Sequence, residues 1–166
     1  LRELAASIGG ATDQIERELS DALTPRDLSA ASMRELRRRT PLVTQVFLLD
    51  REGALVFPPQ DATRTEDEAD FLRRTAAIWT RQAILYLPPE REAPSNRRVN
   101  VKGRGDSLID LAERSPRGWI AWHWREGLHF LFWQKLADGG VIGGEVERVV
   151  LLSRIVGTLP ASELDD

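Results

Sequence analysis

The residues best suited to chemistry are crowded into one stretch, Gly118 to Glu147. It holds four of the five tryptophans, both histidines and six of the twelve glycines. Within it, His123-x-x-Glu126-x-x-His129 has ligand types at close spacing. A metal needs its ligands to converge on one point. The strand alternation expected here sends His123 to one face and Glu126 and His129 to the other, so the trio predicts no metal site and no cofactor.

Trp122, Trp124, His129 and Trp133 share a face in that alternation. Each has an apolar body and a hydrogen-bonding tip, so together they suit the wall of a pocket. Their N–H groups could donate to a small anion such as a carboxylate. Tyr86, Arg97 and Arg98, at a helix end and in a long loop, are placed to reach in as a lid. The competing reading is plain packing of these rings against a helix over residues 65–86. Glu145 and Glu147 would share a strand face, but near a strand end they are expected to be solvated. No Gly-x-Ser-x-Gly, phosphate loop or dinucleotide fingerprint occurs, and Gly139-Gly140 and Gly143-Gly144 fit turns or bulges. No catalytic residue is assigned.

The stretch reads as a three-stranded antiparallel meander. Glu126-Gly127 and Asp138-Gly139-Gly140 separate aromatic, β-favouring runs, and such pairs make hairpin turns. With Glu126 and Gly127 as the loop, Trp124 would face His129, Trp122 would face Leu131 and Ile120 would face Trp133. Neither face is polar, so both must be covered.

The remaining elements supply that cover. Leu1, Leu4, Ile8, Ala11, Ile15, Leu19 and Ala22 recur at helical steps, predicting a long amphipathic helix over residues 1–23. Its spacing up to Ile15 is that of a heptad seam. A helix after Pro25 ends at Arg37-Arg38-Arg39 before Pro41. Leu42 to Asp50 and Ala54 to Phe57 predict a second hairpin about Arg51-Glu52-Gly53. Thr65-Glu66-Asp67-Glu68 carries a capping box and opens the helix that ends near Tyr86. Residues 88–105 form a long polar loop, 108–114 a short helix, 148–159 a closing helix and 161–166 an acidic tail. The sheet core spans 42–147 in one domain, 1–160, of α+β class.

Composition narrows the function. The 166 residues carry a net charge of −3, so no basic field favours nucleic acid. There is no cysteine, which removes disulfides, thiolate metal sites and cysteine nucleophiles. Beginning at Leu1 in mid-helix, the chain reads as a piece of something larger.

The hairpin Phe47-Leu48-Leu49-Asp50-Arg51-Glu52-Gly53-Ala54-Leu55-Val56-Phe57-Pro58, and Trp133 followed by Asp138-Gly139-Gly140-Val141-Ile142-Gly143, give the chain a family likeness. It resembles the Cache (PAS-like, PDC-type) extracytoplasmic sensor domains of bacterial transmembrane histidine kinases and chemoreceptors. The resemblance implies a five-stranded antiparallel PAS-like sheet, with the long N-terminal helix on one face and a helix and loop cover on the other. It implies a small-molecule pocket, no catalysis in the domain, and a membrane-anchored parent receptor of the histidine kinase, two-component type, with this part on the periplasmic side. Amino-acid-binding members carry a Tyr…Arg-x-Trp-Tyr…Tyr…Asp set that is not matched here, since Trp79, Arg81 and Tyr86 stand at other spacings. A homodimer through the N-terminal helix is expected, with relay of ligand binding through the terminal helices. The alternative is a ligand-free PAS-like dimerisation module.

Overall fold

The computed structural model describes residues 2–79, 108–125 and 127–159. Five strands form one antiparallel sheet: β1 (Val43–Leu49), β2 (Leu55–Phe57), β3 (Arg117–Trp124), β4 (Gly127–Lys135) and β5 (Val141–Val146), in the order β2-β1-β5-β4-β3. The helices are α1 (Arg2–Ala22), α2 (Ala30–Arg39), α3 (Glu66–Trp79), α4 (Leu108–Arg114) and α5 (Arg148–Gly157). The α+β class, the open five-stranded antiparallel sheet and the long N-terminal helix are as the sequence predicts. Among the described residues no helix is long and apolar enough to cross a membrane.

Both faces of the sheet are covered, as the two-sided apolar pattern requires. On one side α1, α2 and α5 bury Ile15, Leu19, Met33, Leu36 and Leu151 against Val46, Leu48, Phe132, Ile142 and Val146. On the other, α3 and α4 bury Phe71, Ile78, Leu108 and Leu111 against Phe47, Ile120, Leu131, Trp133 and Val141. Phe47 makes ring contacts with Phe71 at 6.5 Å and Trp79 at 5.1 Å, joining α3 to β1.

Helix α1 uses only its C-terminal half for the core. Ala11, Ile15 and Leu19 are buried, whereas Leu4 and Ile8 stay exposed. Trp119 Nε1 donates to Glu16 at 2.8 Å, and Gln134 Nε2 donates to the carbonyls of Ser20 and Leu23 at 3.1 Å each, so polar tips fasten the helix to β3 and β4. Helix α2 starts later than Pro25. Ser29 is its N-cap and accepts from Ser32 N at 3.2 Å, satisfying an otherwise orphaned amide.

The capping box at the start of α3 forms as read. Glu68 N donates to Thr65 Oγ1 at 3.2 Å and Thr65 N donates to Glu68 Oε2 at 2.9 Å. The same carboxylate takes a fork from Arg34 of α2, Nε to Oε1 at 2.8 Å and Nη2 to Oε2 at 3.0 Å. Burial pushes the Glu68 carboxyl upward, but the Arg34 fork and the Thr65 amide outweigh it and hold the group below the ordinary 4.5.

Two expectations need correction. The β3–β4 register is Trp124↔Gly127, Trp122↔His129, Ile120↔Leu131 and Gly118↔Trp133, so the turn begins at Arg125 and Gly127 is already strand. Arg125 takes the positive φ (52°) that such a turn demands, a conformation open to non-glycine residues at modest cost. Each β3 residue therefore meets a partner two places from the one expected. A shift of two leaves every side chain on its predicted face, because the strand period is two. Secondly, Gly143-Gly144 makes neither turn nor bulge but lies in the central strand β5. A Cβ on Gly143 would stand 2.2 Å from Phe132 O and 2.5 Å from the Phe47 ring, so the missing side chain is what lets Phe47 cross the sheet there.

Candidate functional site

The sheet face under α3 turns polar toward the end where β1 starts and β5 finishes. Glu145 of β5 belongs to this face, two residues beyond Gly143, and it is only 6% exposed. That overturns the expectation of a solvated strand-end carboxylate. A buried charge survives only with strong partners, and Glu145 has them. Arg74 of α3 donates from Nη2 to Oε1 at 2.7 Å and from Nε to Oε2 at 3.3 Å. Thr44 Oγ1 donates to Oε1 at 2.9 Å.

Thr44 reaches the carboxylate because the β1–β5 pairing skips a residue between Val43 and Gln45. This bulge re-aims the hydroxyl, a device found where a strand must present a side chain off its regular alternation. The neighbouring Gln45, 2% exposed, pairs across from Glu145. Its Nε2 donates to Val46 O, while its Oε1 is buried with no hydrogen-bond partner among the described residues.

His129 of β4 completes the group. Its Nδ1 lies 3.6 Å from Glu145 Oε2, close for two charges but too long for a hydrogen bond. Its ring stacks on Trp122 at 5.2 Å with 30° between planes. The Trp122 N–H donates at 3.1 Å to the carbonyl of Arg74, so the indole, the imidazole, the guanidinium and the carboxylate form one connected unit. Side chains of Arg74 and His129 each keep 26% of their surface exposed, so the cluster is not wholly sealed from solvent.

Of the residues read from sequence as a pocket wall, the structure brings Trp122 and His129 together at this cluster. Trp124 is half-buried at the adjoining end of β3, its ring 6.0 Å from the Arg125 guanidinium. Trp133 lies farther along the face beyond Leu131, 1% exposed, with its indole against Gly118 and its N–H without a partner among the described residues. There the packing reading holds: α3 and α4 cover it. Tyr86, Arg97 and Arg98 lie outside the described residues. Among the described residues, surface hollows stand elsewhere, for example between Leu128 and α5 and beside the β1–β2 turn and Asp138.

Arg74, Thr44, Gln45 and Glu145 were not read from the sequence as a site. One signal was available. Phe71, Thr75 and Ile78 mark the buried stripe of α3, and position 74 falls between Phe71 and Ile78 on nearly the same stripe. A cation there asks for a buried counter-charge.

Chemically, a histidine beside a carboxylate is part of a general-base arrangement. The Thr44 hydroxyl at the cluster donates to Glu145 and not to the imidazole, so it is not set up as a nucleophile. Glu145 and His129 are two ligand types where a metal needs more, and among the described residues no group of three His, Cys, Asp or Glu gathers. What the cluster can do is change partners: a carboxylate oxygen, a ring nitrogen and an amide oxygen each have capacity for another hydrogen bond. No family model, curated protein or solved structure matches this chain.

Proposed function

We propose that this domain is a ligand-sensing input module, without catalysis of its own, that binds a small polar molecule at the Glu145 cluster and relays the change through its terminal helices. The observation that carries this reading is a carboxylate 6% exposed, held by Arg74 and Thr44 beside an imidazole, on a sheet face whose other end is packed with apolar side chains. Apolar residues of like volume often serve stability as well as or better than such a pair, so its presence fits a use other than packing. A small carboxylate is one candidate ligand, since the partly exposed Arg74 and His129 side chains offer it N–H donors.

The route to the helices is short. Glu145 is three residues from Arg148, where α5 begins, and α5 is tied to α1 by the Arg154–Glu18 pair. A ligand that prefers one arrangement of the cluster would shift the two helices between poses through its difference in affinity. By the family resemblance, the full receptor would be a membrane-anchored histidine kinase with this domain on its periplasmic side, paired as a homodimer through the N-terminal half of α1. Leu4 and Ile8, on the heptad-spaced part of that helix, are exposed at 39% and 38% and are available for a partner.

A second reading, a ligand-free dimerisation module, is favoured by a different observation: Val149, Leu152 and Val156 form an exposed i, i+3, i+7 stripe on α5. Thermal-shift screening of small carboxylates and polar neutral molecules, paired with light scattering, separates the two. Stabilisation that is lost in Glu145→Gln supports the sensor. A dimer with no stabilising ligand supports the second reading.

A further inference from the structure

We infer that His129 is a proton-operated latch on the Glu145 carboxylate, so that the proton itself is one of the inputs this domain reads. This rests on the sensor reading for its meaning but on separate geometry for its operation. Oε1 of Glu145 is fully used, by Arg74 Nη2 at 2.7 Å and Thr44 at 2.9 Å. Among the described residues Oε2 receives only the longer Arg74 Nε contact, 3.3 Å, and it is the oxygen that faces His129 Nδ1 at 3.6 Å.

Protonation gives both ring nitrogens a hydrogen and adds a charge. A charge-assisted N–H···O bond settles at about 2.8 Å, so a movement of less than roughly 1 Å closes the latch. Among the described residues the groups around the ring can be named. Glu145 attracts the imidazolium from β5, and Trp122 of β3 offers it a π face. Arg74 of α3 shares the carboxylate and so competes. From α5, Arg148 Nη1 and His129 Nε2 both come within 4 Å of the point where a Cβ on Gly127 would sit, which sets a second cation against protonation. From β1, Thr44 and Gln45 contribute dipoles only.

With the ring neutral, Glu145 binds one cation and ties β5 to α3. With the ring protonated it divides between two, gaining a tie to β4 and easing its hold on Arg74. Because Trp122 N–H is bonded to the Arg74 carbonyl, the easing reaches the indole that stacks on His129. Histidine changes charge between pH 5 and 8, the range in which such a device operates.

The test is a ¹H–¹⁵N NMR titration of the domain from pH 8 to 5, following the His129 ring, the Arg74 Nε–H and the Trp122 Nε1–H. The expected result is one shared midpoint for all three. In His129→Gln the Arg74 and Trp122 responses are lost, while His123→Gln, altered on the opposite face, keeps them. In Glu145→Gln the ring still titrates and Arg74 no longer follows. Arg74 and Trp122 resonances that stay flat while His129 titrates, or that respond unchanged in His129→Gln, overturn the latch. A flat response with small-molecule binding intact removes the latch and leaves the sensor. A coupled response without any small-molecule binding does the reverse.

Discussion

Arg74 holds Glu145 in a fork, 2.7 Å and 3.3 Å, with one partner on α3 and the other on the central strand. Removing the cation alone strands a carboxylate whose side chain is 7% exposed. We expect Arg74→Met to cost about 2–3 kcal/mol, discounted for the partial exposure of Arg74. Arg74→Met combined with Glu145→Leu should recover most of that loss, because no charge is left unpaired. Urea unfolding of the four proteins of this cycle gives the coupling. Additive losses would show that the pair is not coupled.

Thr44→Val removes one hydroxyl while keeping the branched shape at the bulge. A loss of about 1 kcal/mol is expected, the usual net worth of such a hydrogen bond or slightly more to a charged acceptor. A variant as stable as the parent would mean that the bulge does not serve the carboxylate.

The Glu68 carboxyl, lowered by its Arg34 fork and the Thr65 amide against the opposing effect of burial, predicts a direction for acid. A group lowered on folding stabilises the folded state above its unfolded value, near 4.5, and that contribution drains away as pH falls through the folded value. Stability measured by denaturant at successive pH values should therefore fall below about pH 4.5 in the parent. The fall should be shallower in Glu68→Gln, which should itself be about 2 kcal/mol less stable at pH 7. Parallel pH profiles would contradict this.

Two glycines should respond oppositely to alanine. Gly143→Ala drives a methyl into Phe132 O and the Phe47 ring at 2.2 and 2.5 Å, and the clash with backbone cannot relax by rotamer change. A loss of about 3 kcal/mol or more is expected. Gly10→Ala, in α1 with nothing within 4 Å of its added Cβ, should gain roughly 0.5–1 kcal/mol from helix propensity. Melting temperatures that move in the same direction would be incompatible with the packing described.

Much of the fold was legible in the sequence because its signals are local. Thr65 and Glu68 stand three apart and cap one helix, and Phe71, Thr75 and Ile78 repeat at helical steps. Face assignment in β3 and β4 also survived, since alternation does not depend on which residue pairs with which. The register itself was not legible, because Arg125 accepted the positive φ that glycine would ordinarily take. The site was harder still. Glu145 and Arg74 are 71 residues apart in the chain, and neither looks unusual alone. Only the bulge at Thr44 and the crossing of α3 make them partners, and a bulge has no reliable mark in a single sequence. The indoles were easy to see and partly misleading: Trp133 turned out to be core, whereas the buried polar cluster lay beside Trp122.

The central claim is that a small polar molecule engages the Glu145 cluster. It is tested most directly by ¹H–¹⁵N spectra of the domain during titration with a panel of small carboxylates and polar neutral molecules, starting with acetate. Saturable shifts of the Trp122 Nε1–H, the Arg74 Nε–H and the His129 ring are expected for at least one member, abolished by Glu145→Gln. Shifts confined to Leu128, Val149, Leu152 and Val156 beside α5, or none at the cluster across the panel, would contradict it.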